Sequence, residues 1–121
     1  MSTPIVGIVL VSHSADLAAG AAHLAAQVSG GTVTIIAAGG TDDGDLGTSA
    51  AKVADGLLRA DQGAGVVVLP DLGSAVLTVK AVLEDHISKG TVLFADAPFV
   101  EGAVAATVTA AAEEARHVRK L

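Results

Sequence analysis

Four short apolar runs, each followed by a stretch with helical spacing, limit this chain to one class of architecture. Ile5–Ser12 is rich in Ile, Val and Leu and shows no polar alternation. That is the pattern of a strand buried on both faces of a parallel sheet. Thr32–Ala37, Gly65–Leu69 and Thr91–Ala95 read the same way. Between the first two, Ser14–Val28 repeats Leu17, Ala21, Leu24 and Val28 at helical intervals, and Gly30-Gly31 stops it. Ala38–Gly47 is a glycine- and aspartate-rich loop. Thr48 is expected to cap a helix running to about Ala60, with Val53, Leu57 and Leu58 inward. After a turn at Pro70–Gly73, Ser74 is expected to cap a third helix. Its stripe is Val76, Val79, Leu83 and Ile87, and Gly90 ends it. Beyond Asp96-Ala97-Pro98 a last helix begins near Val100, with Val100, Val104 and Val108 facing the core.

Strands alternating with helices imply a parallel sheet covered on both faces. Right-handed crossovers leave few topologies. The expectation is an α/β three-layer sandwich, a four-stranded parallel sheet of order 2-1-3-4, flavodoxin-like, with residues 1–121 as a single domain. The formal net charge of −6 disfavours nucleic acid. Arg116, Arg119 and Lys120 are expected to complement the negative end of the last helix. No apolar run approaches the roughly 18 residues of a membrane span, and no basic segment ahead of Ile5 suggests a secretory signal. The chain has no Cys, which excludes disulfides and thiol chemistry and fits a cytoplasmic setting. With two Phe and neither Trp nor Tyr, platforms for stacking bases or flavins are scarce.

In open α/β sheets, ligands bind beyond the carboxyl ends of the strands, where strand order switches. Ser12-His13-Ser14, Gly39–Gly47 and Asp71–Ser74 should converge there, with Asp96 more lateral. His13 leaves a strand and meets a helix start, whose free N–H groups suit phosphate oxygens. A nucleophilic ring nitrogen beside such a cradle fits a phosphohistidine carrier. Its plainer role is to help cap the helix. Asp71, after the neighbouring strand, can accept from one ring nitrogen and aim the other outward. It can equally be a turn or capping residue. Gly39, Gly40 and Thr41 can bring backbone N–H groups close to a phosphate, or form a plain loop. Asp42, Asp43 and Asp45 lack the spacing of a calcium loop and read as a solvated acidic lip, with no metal site expected. His23, His86 and His117 lie along helix bodies and read as structural or surface residues.

The segments IVLVSHS at Ile8–Ser14, GGTDDGDLGTS at Gly39–Ser49, DLGSA at Asp71–Ala75 and APFVEGA at Ala97–Ala103 together resemble one family. It is the DhaM family, phosphotransferase subunits of bacterial dihydroxyacetone kinase, whose first domain is of the mannose-type IIA class of the sugar phosphotransferase system. The resemblance implies that His13 takes a phosphoryl group from phospho-HPr, on Nε2. The group then passes to ADP on the kinase subunit DhaL, and the ATP formed phosphorylates dihydroxyacetone held by DhaK. It also implies that Asp71 orients His13, and that Ser12, Ser14, Gly39, Gly40, Thr41, Gly73 and Ser74 border the active surface. By the same resemblance the chain forms a homodimer, holds no permanent cofactor, and meets Mg-ADP or Mg-ATP only on its partner. Donor and acceptor are then separate proteins.

Alternatives remain at this level. A related IIA domain can serve a mannose-type sugar permease. A small tetrapyrrole metal chelatase also places a histidine after its first strand, but needs further ligands in the cleft. A receiver-like module would be phosphorylated on Asp71, yet the acidic pair expected after the first strand is replaced by Ser-His-Ser. A flavin module lacks its aromatics.

Overall fold

The computed structural model describes residues 5–85 and 91–120, without the side chains of 115–120. Four strands, β1 (Gly7–Ser12), β2 (Ile35–Gly39), β3 (Val66–Pro70) and β4 (Val92–Phe94), alternate with four helices, α1 (Ala15–Ser29), α2 (Ala50–Ala60), α3 (Gly73–Asp85) and α4 (Phe99–Lys120). All pairings are parallel, and the order is β2-β1-β3-β4, as expected. The expected places of His86, Ile87 and Gly90, and the side chains of Arg116, His117, Arg119 and Lys120, lie outside the described residues.

β1 is central and all six of its residues are buried. Alternation sends Ile8 and Leu10 to one layer, with Ala21, Ala25, Ala103 and Ala110 of α1 and α4. Val9 and Val11 face the other layer, with Val53, Leu57 and Val79 of α2 and α3. A strand covered on both faces has no polar side to show, which is why its sequence is continuously apolar. Among the described residues, no helix is long and apolar enough to cross a membrane.

The helix faces correct the sequence reading. α1 buries Ala18, Ala21 and Ala25, while Leu17, Leu24 and Val28 are exposed. α4 buries Ala103, Thr107 and Ala110, leaving Val104 partly covered and Val108 exposed. Alanine and threonine sit at the seam because small side chains let helix and sheet approach closely. An alanine-rich helix therefore has no strong period of large residues to reveal its inner face. On α3 the buried positions are Ala75 and Val79, with Leu83 packed partly against them and Val76 half-buried. On α2, Leu57 is fully buried but Leu58 is 64% exposed.

Boundaries moved too. Ser49, not Thr48, caps α2, its hydroxyl accepting from the Lys52 N–H at 3.1 Å. β2 lies later than Thr32–Ala37 and includes Ala38 and Gly39. Gly39 pairs with Ser12, and a Cβ there would stand 2.5 Å from the Ser14 carbonyl oxygen. Only glycine lets the end of β2 pass so close to the start of α1.

Leu57→Ala is expected to lower stability by about 2–5 kcal/mol. Leu58→Ala is expected to change it by no more than about 0.5 kcal/mol. Urea unfolding of the two variants distinguishes this inner face from the one the spacing suggested.

Candidate active site

The carboxyl ends of β1 and β3 create the site. Their ladder runs to Val11 opposite Pro70, and the Asp71 N–H then donates to the Val11 carbonyl at 3.0 Å. This puts Asp71 beside the first residues after β1. Its Oδ2 accepts from the Ser12 hydroxyl at 2.9 Å and from the His13 backbone N–H at 3.0 Å. Its Oδ1 faces His13 Nδ1 at 3.0 Å. An ionised carboxylate can only accept, so Nδ1 carries the ring proton and Nε2 keeps its lone pair. The Ser74 hydroxyl lies 2.7 Å from Nε2 and donates to it.

His13 is held at its backbone as well. The Gly47 N–H donates to its carbonyl at 2.8 Å. Its side chain keeps 25% of its surface exposed, whereas the Asp71 side chain keeps 9%. The reactive edge is therefore open while the orienting group is covered. Burial pushes the Asp71 carboxyl upward. The His13 amide, the His13 ring and the Ser12 hydroxyl oppose this and prevail, holding it below its ordinary value of 3.8.

Several residues the sequence grouped as ligand contacts brace the site from inside. Ser12 is fully buried, and its hydroxyl links Asp71 to the Ser14 N–H, 3.0 Å away. The Ser14 hydroxyl caps α1, accepting from the Leu17 N–H at 3.1 Å. The start of α1 is thus partly satisfied by side chains. Nε2 turns instead toward Ser74 in the first turn of α3, where the sequence predicted a capping serine. In the glycine loop, the Gly40 N–H donates to Ser12 O at 3.1 Å and the Thr41 N–H to Asp45 O at 2.9 Å. Those two amides are already engaged, which gives Gly40 and Thr41 a part in shaping the rim. Gly40 has φ +77°, a left-handed conformation that favours glycine.

Two bracing contacts were not foreseen. Lys52 Nζ donates to Gly39 O at 2.9 Å, and the Ser49 hydroxyl donates to Asp42. Both tie the end of β2 and the loop after it to the start of α2; one partner is a backbone carbonyl and the other a loop aspartate, and no motif marks either pairing. Among the described residues, no three His, Cys, Asp or Glu side chains gather to hold a metal ion. His23 is exposed on α1. Asp96 lies laterally, in a cleft of about 390 Å³ that also includes Asp71, Leu72, Gly73, Val76 and Phe94. A larger apolar hollow of about 570 Å³ opens between the amino ends of β1 and β3 and helix α4. It touches neither His13, Asp71 nor Ser74, so the geometry of His13, and not cavity size, locates the candidate site.

The arrangement can do nucleophilic or proton-transfer chemistry at Nε2. Asp71 is less accessible than His13, with 9% of its side chain exposed against 25%, and its oxygens face Ser12 and His13, so the open nucleophile is the ring nitrogen.

Comparison with known proteins gives a consistent picture. The sequence model of PTS system fructose IIA components matches residues 7–118. The phosphoryl donor subunit DhaM of PEP-dependent dihydroxyacetone kinase 2 from Listeria innocua is 39% identical over 108 residues, covering 86% of this chain and 85% of that protein. The DhaM phosphoryl donor subunit of Pantoea ananatis is 40% identical over 113 residues, covering 89% of this chain. There the chain spans only 24% of the relative's length. A crystal structure of EF1359, a protein described as of unknown function, superposes with a TM-score of 0.78 at 35% identity, covering 90% of this chain and 85% of that one.

A carboxyl group with a depressed folded-state value contributes stability above its unfolded value, and the contribution fades as pH falls through the folded value. Asp71→Asn is therefore expected to destabilise the fold near pH 7. The gap from the parent protein should narrow below about pH 4. Urea titrations from about pH 7 down to about pH 3 check this, and a gap independent of pH would contradict the electrostatic origin.

Proposed function

The chain belongs to the PTS system fructose IIA component family, a phosphotransferase family of the mannose-type IIA class, and from that premise we propose that His13 Nε2 carries a phosphoryl group from phospho-HPr to ADP bound by the DhaL subunit of a dihydroxyacetone kinase. The observation that carries the reading is the tie between Asp71 Oδ1 and His13 Nδ1 at 3.0 Å. It fixes the proton on one nitrogen and leaves the outward one with an available lone pair.

In the first transfer the lone pair of Nε2 attacks phosphorus, the Nε2–P bond forms, and the N–P bond to the donor histidine breaks. The phosphorylated ring gains positive character while retaining Nδ1–H, and the adjacent Asp71 carboxylate stabilises it. Ser74 must rotate off Nε2 to admit phosphorus, and its hydroxyl is then free to donate to a phosphoryl oxygen. The Gly73 and Ser74 N–H groups at the start of α3 can supply further donors, while the Ala75 N–H is taken by Leu72 O. In the second transfer a β-phosphate oxygen of ADP attacks, and the electron pair of the N–P bond returns to Nε2. Both steps have loose transition states, so alignment and charge stabilisation carry most of the catalysis. Mg²⁺ belongs with the nucleotide on the acceptor.

The 25% exposure of the ring also supports a protein-to-protein relay. A shallow site can be reached by two partners in turn, whereas a deep pocket would admit only a small molecule. The acceptor assignment draws on the relatives named as phosphoryl donor subunits of dihydroxyacetone kinase.

Incubation with enzyme I, HPr and phosphoenolpyruvate is expected to label His13 with an acid-labile, base-stable phosphoryl group. Adding DhaL and ADP should remove the label and yield ATP. His13→Ala is expected to fold and take no label. Asp71→Asn is expected to slow labelling by about tenfold or more. Labelling of His13→Ala at the rate of the parent protein would end the proposal.

A further inference from the structure

Asp71, His13 and Ser74 stand in a line: Oδ1 to Nδ1 at 3.0 Å, then Nε2 to Oγ at 2.7 Å. A carboxylate holding an imidazole whose far nitrogen accepts from a serine hydroxyl is the arrangement that activates serine as a nucleophile. The phosphoryl-carrier reading uses Nε2 as the attacking atom. With a carbonyl carbon in front of Oγ, the same three groups work in the opposite sense: Nε2 becomes the base and Ser74 attacks.

The surroundings supply what such a reaction needs. Ser74 is exposed, in the first turn of α3. The Ala75 N–H donates to Leu72 O at 3.0 Å, which leaves the Gly73 and Ser74 N–H groups at the start of the turn to stabilise a developing oxyanion. Gly73 precedes it, and a Cβ built there would meet nothing within 4 Å, so the space over the turn is open. The cleft of about 390 Å³ begins at Gly73 and continues along Leu72, Val76 and Phe94. That apolar stretch suits a short hydrocarbon chain, while Asp71, Lys80 and Asp96 make the rest of the lining polar.

The geometry points to a second activity: in the unphosphorylated chain, Ser74 accepts acyl groups, and the protein hydrolyses short-chain carboxylic esters through an acyl-Ser74 intermediate. Oγ attacks the carbonyl carbon as its proton passes to Nε2, and the carbonyl oxygen becomes an oxyanion. Collapse breaks the bond to the alkoxide, which leaves with the proton from Nε2. Water then adds to the Ser74 ester, giving a proton to Nε2. The second collapse returns that proton to Oγ and releases the carboxylic acid.

The test uses the full chain, never exposed to a phosphoryl donor. A fluorophosphonate probe, which modifies activated serines, is expected to label Ser74 stoichiometrically. Hydrolysis of p-nitrophenyl butyrate is expected to show a burst of p-nitrophenolate. Ser74→Ala should abolish label and burst together. His13→Gln, with Ser74 still present, should slow labelling by about 100-fold or more, and Asp71→Asn should slow it less. Circular dichroism of each variant separates lost chemistry from lost fold. An unlabelled parent protein, labelling of Ser74 that survives His13→Gln unchanged, or acylation of His13 in place of Ser74 overturns the inference. The carrier reading stands or falls on label from phosphoenolpyruvate, so the two failures are distinguishable.

Discussion

The Asp71 carboxylate organises this site, and most of its surroundings exist to deliver and protect it. It accepts three hydrogen bonds, one from Ser12 at the end of β1, one from the His13 backbone just after it and one from the ring it orients. A covered carboxylate so supplied stays ionised. It therefore dictates where the imidazole proton resides. Replacing any of those donors would weaken the charge, the tautomer or both. The orientation of the His13 ring depends on a group that is itself largely covered.

That dependence explains how the polar residues divide. Ser12, Ser14, Ser49 and Lys52 all have side-chain hydrogen bonds to atoms within the protein. Their work is to hold the loops after β1 and β2 in place. The exposed polar group that meets the ring is Ser74, on a different helix. A hydrogen-bonded inner set and an exposed outer hydroxyl suit a site that must receive a group, keep it briefly and release it. Preorganisation lowers the barrier only if the supporting groups do not need to move.

Much of this was legible in the sequence. Continuous apolar strands and glycine stops identified the layers and their order, because burial on both faces leaves a signature in every residue of β1. His13 and Asp71 could be read from their places after neighbouring strands. The inner faces of α1 and α4 could not, since alanine packs as well as it solvates and leaves little period to follow. Nor could the roles of Ser12 and Ser14 be separated from that of Ser74. All three are serines near the same edge, and only three-dimensional direction tells a buried brace from an outward donor. Lys52 escaped notice because its partner is a backbone carbonyl, which no side-chain motif announces.

The ladder between β1 and β3 has a consequence for how this protein can change over generations. Val11 lies opposite Pro70, and Asp71 donates to Val11 immediately beyond. Because side chains alternate, deleting or adding one residue in β1 would turn its core to the wrong layer and rotate the imidazole away from its carboxylate in a single event. Ile8 to Val11 can exchange for other apolar residues of similar size, whereas Gly7, where a Cβ would stand 2.1 Å from Ala60 O, Ser12 and the strand length are fixed. Insertions and deletions are therefore tolerable only away from this strand, in the outer loops and at the far ends of the helices.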